Sequence, residues 1–195
     1  MRHLILSATF LACGGVLMLA CGGGTNVNVS TTGLKNSAAN IANSVANAVS
    51  GATTSSPESF MKDAAQGGQA EVKMGDLAAK NAKNPDRKKF AQMMVTDHGA
   101  AGKDLEELAK KKNFTLPTDI GSHQATYDKL SKMTGDDFDR YYVEQMVQDH
   151  EADVKEFQKQ AANSSDPDVK AFAAKVVPVV KKHLDAIKAI QAKMK

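Results

Sequence analysis

Three times in this chain a helix-capping residue is followed at once by proline: Ser56-Pro57, Asn84-Pro85 and Asp166-Pro167. A capping side chain accepts hydrogen bonds from the unpaired N–H groups of a helix start. Proline at the first helical position loses no hydrogen bond, and its fixed φ suits the helix. Each pair opens a long run with apolar residues three and four apart. The spacing therefore predicts helices over about 57–82, 85–112 and 167–194, and a fourth, opened by Gly135-Asp136, over about 136–163. The joints between 57–82 and 85–112 and between 136–163 and 167–194 are only a few residues long, so each must close an antiparallel hairpin. A longer connection, 113–135, is expected to carry a short helix around 122–132.

The two hairpins resemble each other. Asn84-Pro85-Asp86-Arg87-Lys88-Lys89-Phe90-Ala91 parallels Asp166-Pro167-Asp168-Val169-Lys170-Ala171-Phe172-Ala173. Duplicated helical hairpins joined by a long crossover are the plan of a ferritin-like antiparallel four-helix bundle, and the predicted fold class is all-α. Composition agrees. Aromatics are 5% with no Trp, whereas Ala, Lys, Asp and Met are plentiful, and unbranched side chains lose little rotamer freedom in a helix. With 195 residues the chain can bury one ordinary core. Lys+Arg 25 against Asp+Glu 22 gives +3 without a basic stripe, which argues against a nucleic-acid partner.

The N-terminus reads as an address. Arg2 is followed by an apolar run from Leu4 to Ala20 that ends in Leu19-Ala20-Cys21-Gly22-Gly23-Gly24. This has the shape of a secretory signal, and its end resembles a bacterial lipobox, in which the cysteine is lipidated and becomes the mature N-terminus. Met18 stands where Leu is usual. An uncleaved anchor is the competing reading, since a spanning helix needs roughly 20 apolar residues. Cys13 and Cys21 make no disulfide framework. The expected organisation is a lipoprotein signal peptide at 1–20, a low-complexity linker at 21–56 and the bundle at 57–195, with the membrane as a partner through lipid on Cys21. Gly22 after the cysteine points to an outer-membrane lipoprotein facing the periplasm, with a soluble periplasmic protein as the alternative. The linker, rich in Gly, Ser, Thr and Asn with Lys35 its single charge, buries too little apolar surface to offset its ordering entropy and is read as a flexible tether.

Helical wheels at 100° per residue place one ionisable group in each apolar stripe. In the first helix Glu71 lies among Phe60, Ala64, Gly68, Gly75 and Ala78. In the second, Asp97 and His98 flank Phe90, Met94, Ala101, Leu105 and Leu108. In the third, His150 lies with Tyr142, Met146, Val154 and Phe157, and in the fourth His183 lies with Phe172, Val176, Val179, Ile187, Ile190 and Met194. Each group falls roughly 12–16 residues into its helix, so at about 1.5 Å per residue all four share one level. A lone buried carboxylate is costly unless paired or metal-bound. Glu71, His98, His150 and His183 are thus a candidate ligand set for one transition-metal ion (zinc, iron, manganese or copper), with Asp97, Met94 and Met146 as further candidates. Met94 and Met146 each precede a His by four residues in a repeated M-V-x-D-H pattern. The competing reading is a hydrogen-bonded core. Pro178 is expected to kink or bulge the last helix before His183, and His123 is expected to be exposed.

From Phe60 onward the chain resembles a bacterial family of secreted, ferritin-like helical domains, the domain of unknown function 4142. The resemblance rests on Phe60 through Glu71, Gly75-Asp76-Leu77-Ala78, MVTDH at 94–98, FDRYYVEQMVQDH at 138–150 and PVVKKHL at 178–184. It implies an envelope-associated bundle and no activity. The chain departs from di-iron ferritin-like proteins, which carry Glu three residues before His on two helices, because Val95 and Val180 occupy those positions. Di-iron chemistry and iron storage are not expected.

Three functional readings follow. The first is a lipid-anchored helical module for interaction, structure or stress response. The alternative is a periplasmic protein binding a single metal through the Glu/His cluster. An enzyme ranks last, because the chain has no Gly-rich phosphate loop, cysteine nucleophile or Ser–His–Asp ordering.

Overall fold

The structure, a computed structural model, describes residues 54–194. The expected signal peptide, Cys21 and nearly all of the expected linker lie outside the described residues. Those described are all-helical: α1 Pro57–Asn81, α2 Pro85–Lys111, a 3-10 turn Gly121–His123 leading into α3 Gln124–Leu130, α4 Gly135–Asn163 and α5 Pro167–Gln191. No helix among them is long and apolar enough to cross a membrane.

The cap–proline pairs start their helices as expected. Ser56 Oγ accepts from Ser59 N–H at 3.1 Å and Asn84 Oδ1 from Asp86 N–H at 2.8 Å. Asp166 Oδ1 accepts from Asp168 and Val169 N–H at 2.9 and 3.2 Å. The fourth long helix begins differently: Thr134 makes no side-chain cap, and Gly135 takes φ +64°, a left-handed conformation that glycine adopts without strain. Ser55, which falls within the expected linker, is held on the bundle. Ser55 Oγ donates to Glu156 Oε1 at 2.6 Å, and Gln160 Nε2 donates to Ser55 Oγ at 2.8 Å, so Ser55 is held on α4.

α1 packs on α2 and α4 on α5, and the two hairpins meet through α2–α5 and α1–α4. The connection between them is seated by Ile120 and Leu130, both buried, and by Gln66 and Gln69 of α1, which donate to Asp119 Oδ1 at 2.7 Å and to Pro117 O at 3.0 Å. The short helix expected at 122–132 is thus a 3-10 turn followed by α3.

The interior holds two apolar clusters. One contains Ala70, Met74, Phe90, Met94, Tyr142, Met146 and Ile187. The other contains Phe60, Met61, Leu105, Phe157, Phe172, Val176 and Val180. Apart from Ala70, which immediately precedes Glu71, the members of the two clusters in each long helix fall on opposite sides of the inward polar residue, so Glu71, His98, His150 and His183 form a layer between them. Two stripe assignments shift: Val180, not Val179, is fully buried, and Met61, Ala65 and Met74 add to the buried face of α1. Both Val179 and Val180 lie within a turn of His183, so spacing alone separates them poorly. α5 runs through exposed Pro178 as continuous α-helix, and no π-bulge is assigned among the described residues.

Candidate metal centre

All four inward groups come together. His98 Nδ1 lies 2.9 Å from Glu71 Oε2, and its Nε2 lies 3.2 Å from His183 Nδ1. His183 Nε2 lies 2.9 Å from Asp97 Oδ2, to which Lys182 Nζ also donates at 3.4 Å. His150 Nδ1 lies 2.9 Å from the Met146 carbonyl oxygen and 3.4 Å from Glu71 Oε1. The three imidazole centroids are 5.1–5.6 Å apart. Phe90 presses on the His150 and His183 rings at 6.4 Å and helps close that side to water.

Each imidazole therefore has one nitrogen held from behind by an acceptor: Glu71 for His98, Asp97 for His183 and the Met146 carbonyl for His150. Such outer acceptors fix the tautomer and aim of metal-ligating histidines. The nitrogens left over are His98 Nε2, His183 Nδ1 and His150 Nε2, and the last makes no hydrogen bond to another protein group. One ligand atom from each ring lies within 4.8 Å of the other two. Two nitrogens bound at about 2.0–2.1 Å to a tetrahedral ion stand about 3.3 Å apart, close to the His98–His183 separation.

The electrostatics make the same point. With Glu71 and Asp97 both ionised, His98 and His183 each carry hydrogen on the outer nitrogen, and two lone pairs face each other at 3.2 Å. Only a cation, proton or metal, relieves that. Burial opposes the proton and holds His98, His150 and His183 below the usual imidazole range, with Glu71 countering at His150 and Asp97 at His183. Burial also pushes the Glu71 carboxyl up to about 7, although His150 pulls it down. Glu71 can then be the acid: its O–H donates to His98 Nδ1, His98 Nε2–H to His183 Nδ1, and His183 Nε2–H to Asp97. At Asp97 burial raises the pKa, but hydrogen bonds from His183 and Lys182 outweigh it and hold the carboxylate below its ordinary range. The layer thus supports a neutral-imidazole relay or a bound cation.

The further candidates divide. Asp97 holds His183 from behind. Met94 and Met146 are buried in the adjoining apolar cluster, and Met146 serves His150 through its carbonyl. His123 is half-buried, packed over Gly67, where an added Cβ would stand 3.9 Å from its Nε2. Wheel reasoning missed two half-buried aspartates of α4, Asp149 and Asp153, which lie on the flank facing α1 and line a groove with Glu71 and His98. The signal available in the sequence was their spacing of one turn.

Residues 42–190 match the family described as Domain of unknown function (DUF4142). No curated protein matches the sequence. Solved structures of similar fold include a DUF305 fragment from Deinococcus radiodurans, with TM-score 0.63 and 11% identity over 71% of this chain and 96% of that one. CopM in its Cu(I)-bound form has TM-score 0.59 and 18% identity, covering 69% of this chain and 94% of its own. Its Cu(II)-bound form gives 0.57 and 19% over the same shares. At these identities the likeness is one of fold.

Proposed function

The chain belongs to the DUF4142 family, whose description assigns no activity, and from the geometry of its histidine layer we propose that it binds one transition-metal ion through His98, His150 and His183. Glu71 and Asp97 hold two of the rings, with Glu71 near enough to two histidines to join the ligand set. The observation that carries this reading is the division of labour on each ring: one nitrogen is occupied by an outer acceptor and the other is turned inward. Imidazole suits zinc, copper, iron and nickel. Copper ranks first because the similarly folded CopM is known in Cu(I)- and Cu(II)-bound forms. Within this proposal the bundle is ferritin-like in plan, holds a single ion, and is tethered in the cell envelope by lipid on Cys21. Replacing Cys21 by Ser should release it from the membrane fraction.

The test is thermal unfolding with and without Cu(II), Zn(II), Mn(II) or Fe(II). An ion at a hundredfold excess over Kd adds about 2.7 kcal/mol to native stability, and His150→Ala should abolish that gain.

A second reading is favoured by the relay from Glu71 to Asp97, which satisfies four polar groups without a metal. A layer serving only to fix helix register would show no stabilisation by any of these ions, while His150→Ala would still lower stability.

A further inference from the structure

The imidazoles lie deep: His150 and His183 are 0% exposed and His98 8%. A hydrated ion cannot reach them directly. A groove of about 520 Å³ runs between α1, α2, α4 and the crossover, and its lining includes two members of the layer, Glu71 and His98. Glu71 is 3% exposed, and its Oε1 makes no hydrogen bond to another protein group. Glycines keep the groove open, since a Cβ on Gly68, Gly99 or Gly102 would meet nothing within 4 Å. The lining is strongly acidic, six carboxylates against Lys73 and Lys103. Two of the six, Asp149 and Asp153, stand one turn apart on α4, half-buried and without a hydrogen bond or ion pair to any described residue.

We infer that this groove is the path by which a metal cation reaches the histidine layer, and that Asp149 and Asp153 are the first protein oxygens to replace its waters before Glu71 and His98 receive it. The inference rests on the metal-binding reading above. Carboxylate oxygens are hard donors, whereas borderline transition ions favour imidazole nitrogen, so the ion is passed inward from weaker to stronger ligands. A cleft in which carboxylates outnumber basic groups also concentrates cations and raises their association rate. His123 lines the same groove, so it belongs to the path rather than to the layer.

The experiment is rapid-mixing kinetics of Zn(II) uptake and release by the full chain, using the metal alone. The Asp149→Asn/Asp153→Asn variant should take up zinc about tenfold more slowly or worse, with a smaller change in Kd. Gly102→Leu, which places a side chain in the open groove, should slow uptake and release together and leave Kd within about twofold, as a narrowed path to an unaltered site must. Wild-type uptake with both variants at wild-type rates would overturn this inference and leave the metal centre standing. A wild-type chain that binds no zinc, copper, iron or manganese would overturn the metal reading and the path with it.

Discussion

His98 Nε2 faces His183 Nδ1 at 3.2 Å across the α2–α5 contact, and the opposite nitrogens of the same two rings face Glu71 and Asp97, each at 2.9 Å. This contact joins the two hairpins through a chain of four titratable groups. The space between the two rings accommodates either a hydrogen or a metal ion. Metal binding therefore releases a proton wherever Glu71 supplies the relay, and affinity should fall as pH drops below about 7, where burial holds that carboxyl protonated.

Glu71→Gln should act in opposite directions with and without metal. In the metal-free fold the Glu71 pKa stands at about 7 against its ordinary 4.5. A raised folded-state value means stability is fully present below 4.5 and is lost as pH rises to 7. Gln mimics the protonated acid and keeps that stability. In chelator-treated protein Glu71→Gln should be more stable than wild type above pH 7, by about 3 kcal/mol at most, and equal to it below pH 4.5. Denaturant unfolding at the two pH values checks this. In metal-loaded protein the same change weakens the hold on His98 and should lower metal affinity about 10–100-fold.

Much of this site is legible in the residues themselves. The pairs Ser56-Pro57, Asn84-Pro85 and Asp166-Pro167 place three helix starts to the residue, because cap and ring act locally. The wheel finds Glu71, His98, His150 and His183 because an ionisable residue in an apolar stripe interrupts a regular pattern. What it cannot supply is who holds whom. That Asp97 turns to His183, 86 residues further along the chain, depends on the α2–α5 register. Asp139 and Gln160 are buried as well, and their partners, Arg87 and Ser55, lie on other segments. Asp139 shares the stripe of Tyr142 and Val143 and carries the same signal as His150, an ionisable residue within an apolar face.

Two glycines of α1 should respond oppositely to alanine. At Gly75 a Cβ would stand 3.1 Å from the Ala91 carbonyl oxygen and from Val95 Cγ2. The first is α2 backbone and can yield only by moving the helix. Gly75→Ala should therefore destabilise by about 1–2 kcal/mol despite alanine's better helix propensity. At Gly68 the Cβ meets nothing, and Gly68→Ala should stabilise by about 0.5–1 kcal/mol. Chemical denaturation of the two variants separates them.

The pair Arg87 Nη1–Asp139 Oδ2, 2.6 Å apart with Asp139 almost fully buried, should show strong coupling. Arg87→Ala leaves a buried carboxylate without its partner, a loss of about 3–5 kcal/mol. Arg87→Ala/Asp139→Ala removes both charges and should lose less than the two single changes combined. A double-mutant cycle on unfolding free energies gives the coupling directly.

Binding of one ion by the three imidazoles of α2, α4 and α5 is open to direct measurement. Elemental analysis after equilibrium dialysis against Cu(II) or Zn(II) tests it most directly. The wild-type chain should retain one ion and the His98→Ala/His150→Ala/His183→Ala variant none. A wild-type chain that retains no metal, or a triple variant that retains as much as the wild type, would contradict it.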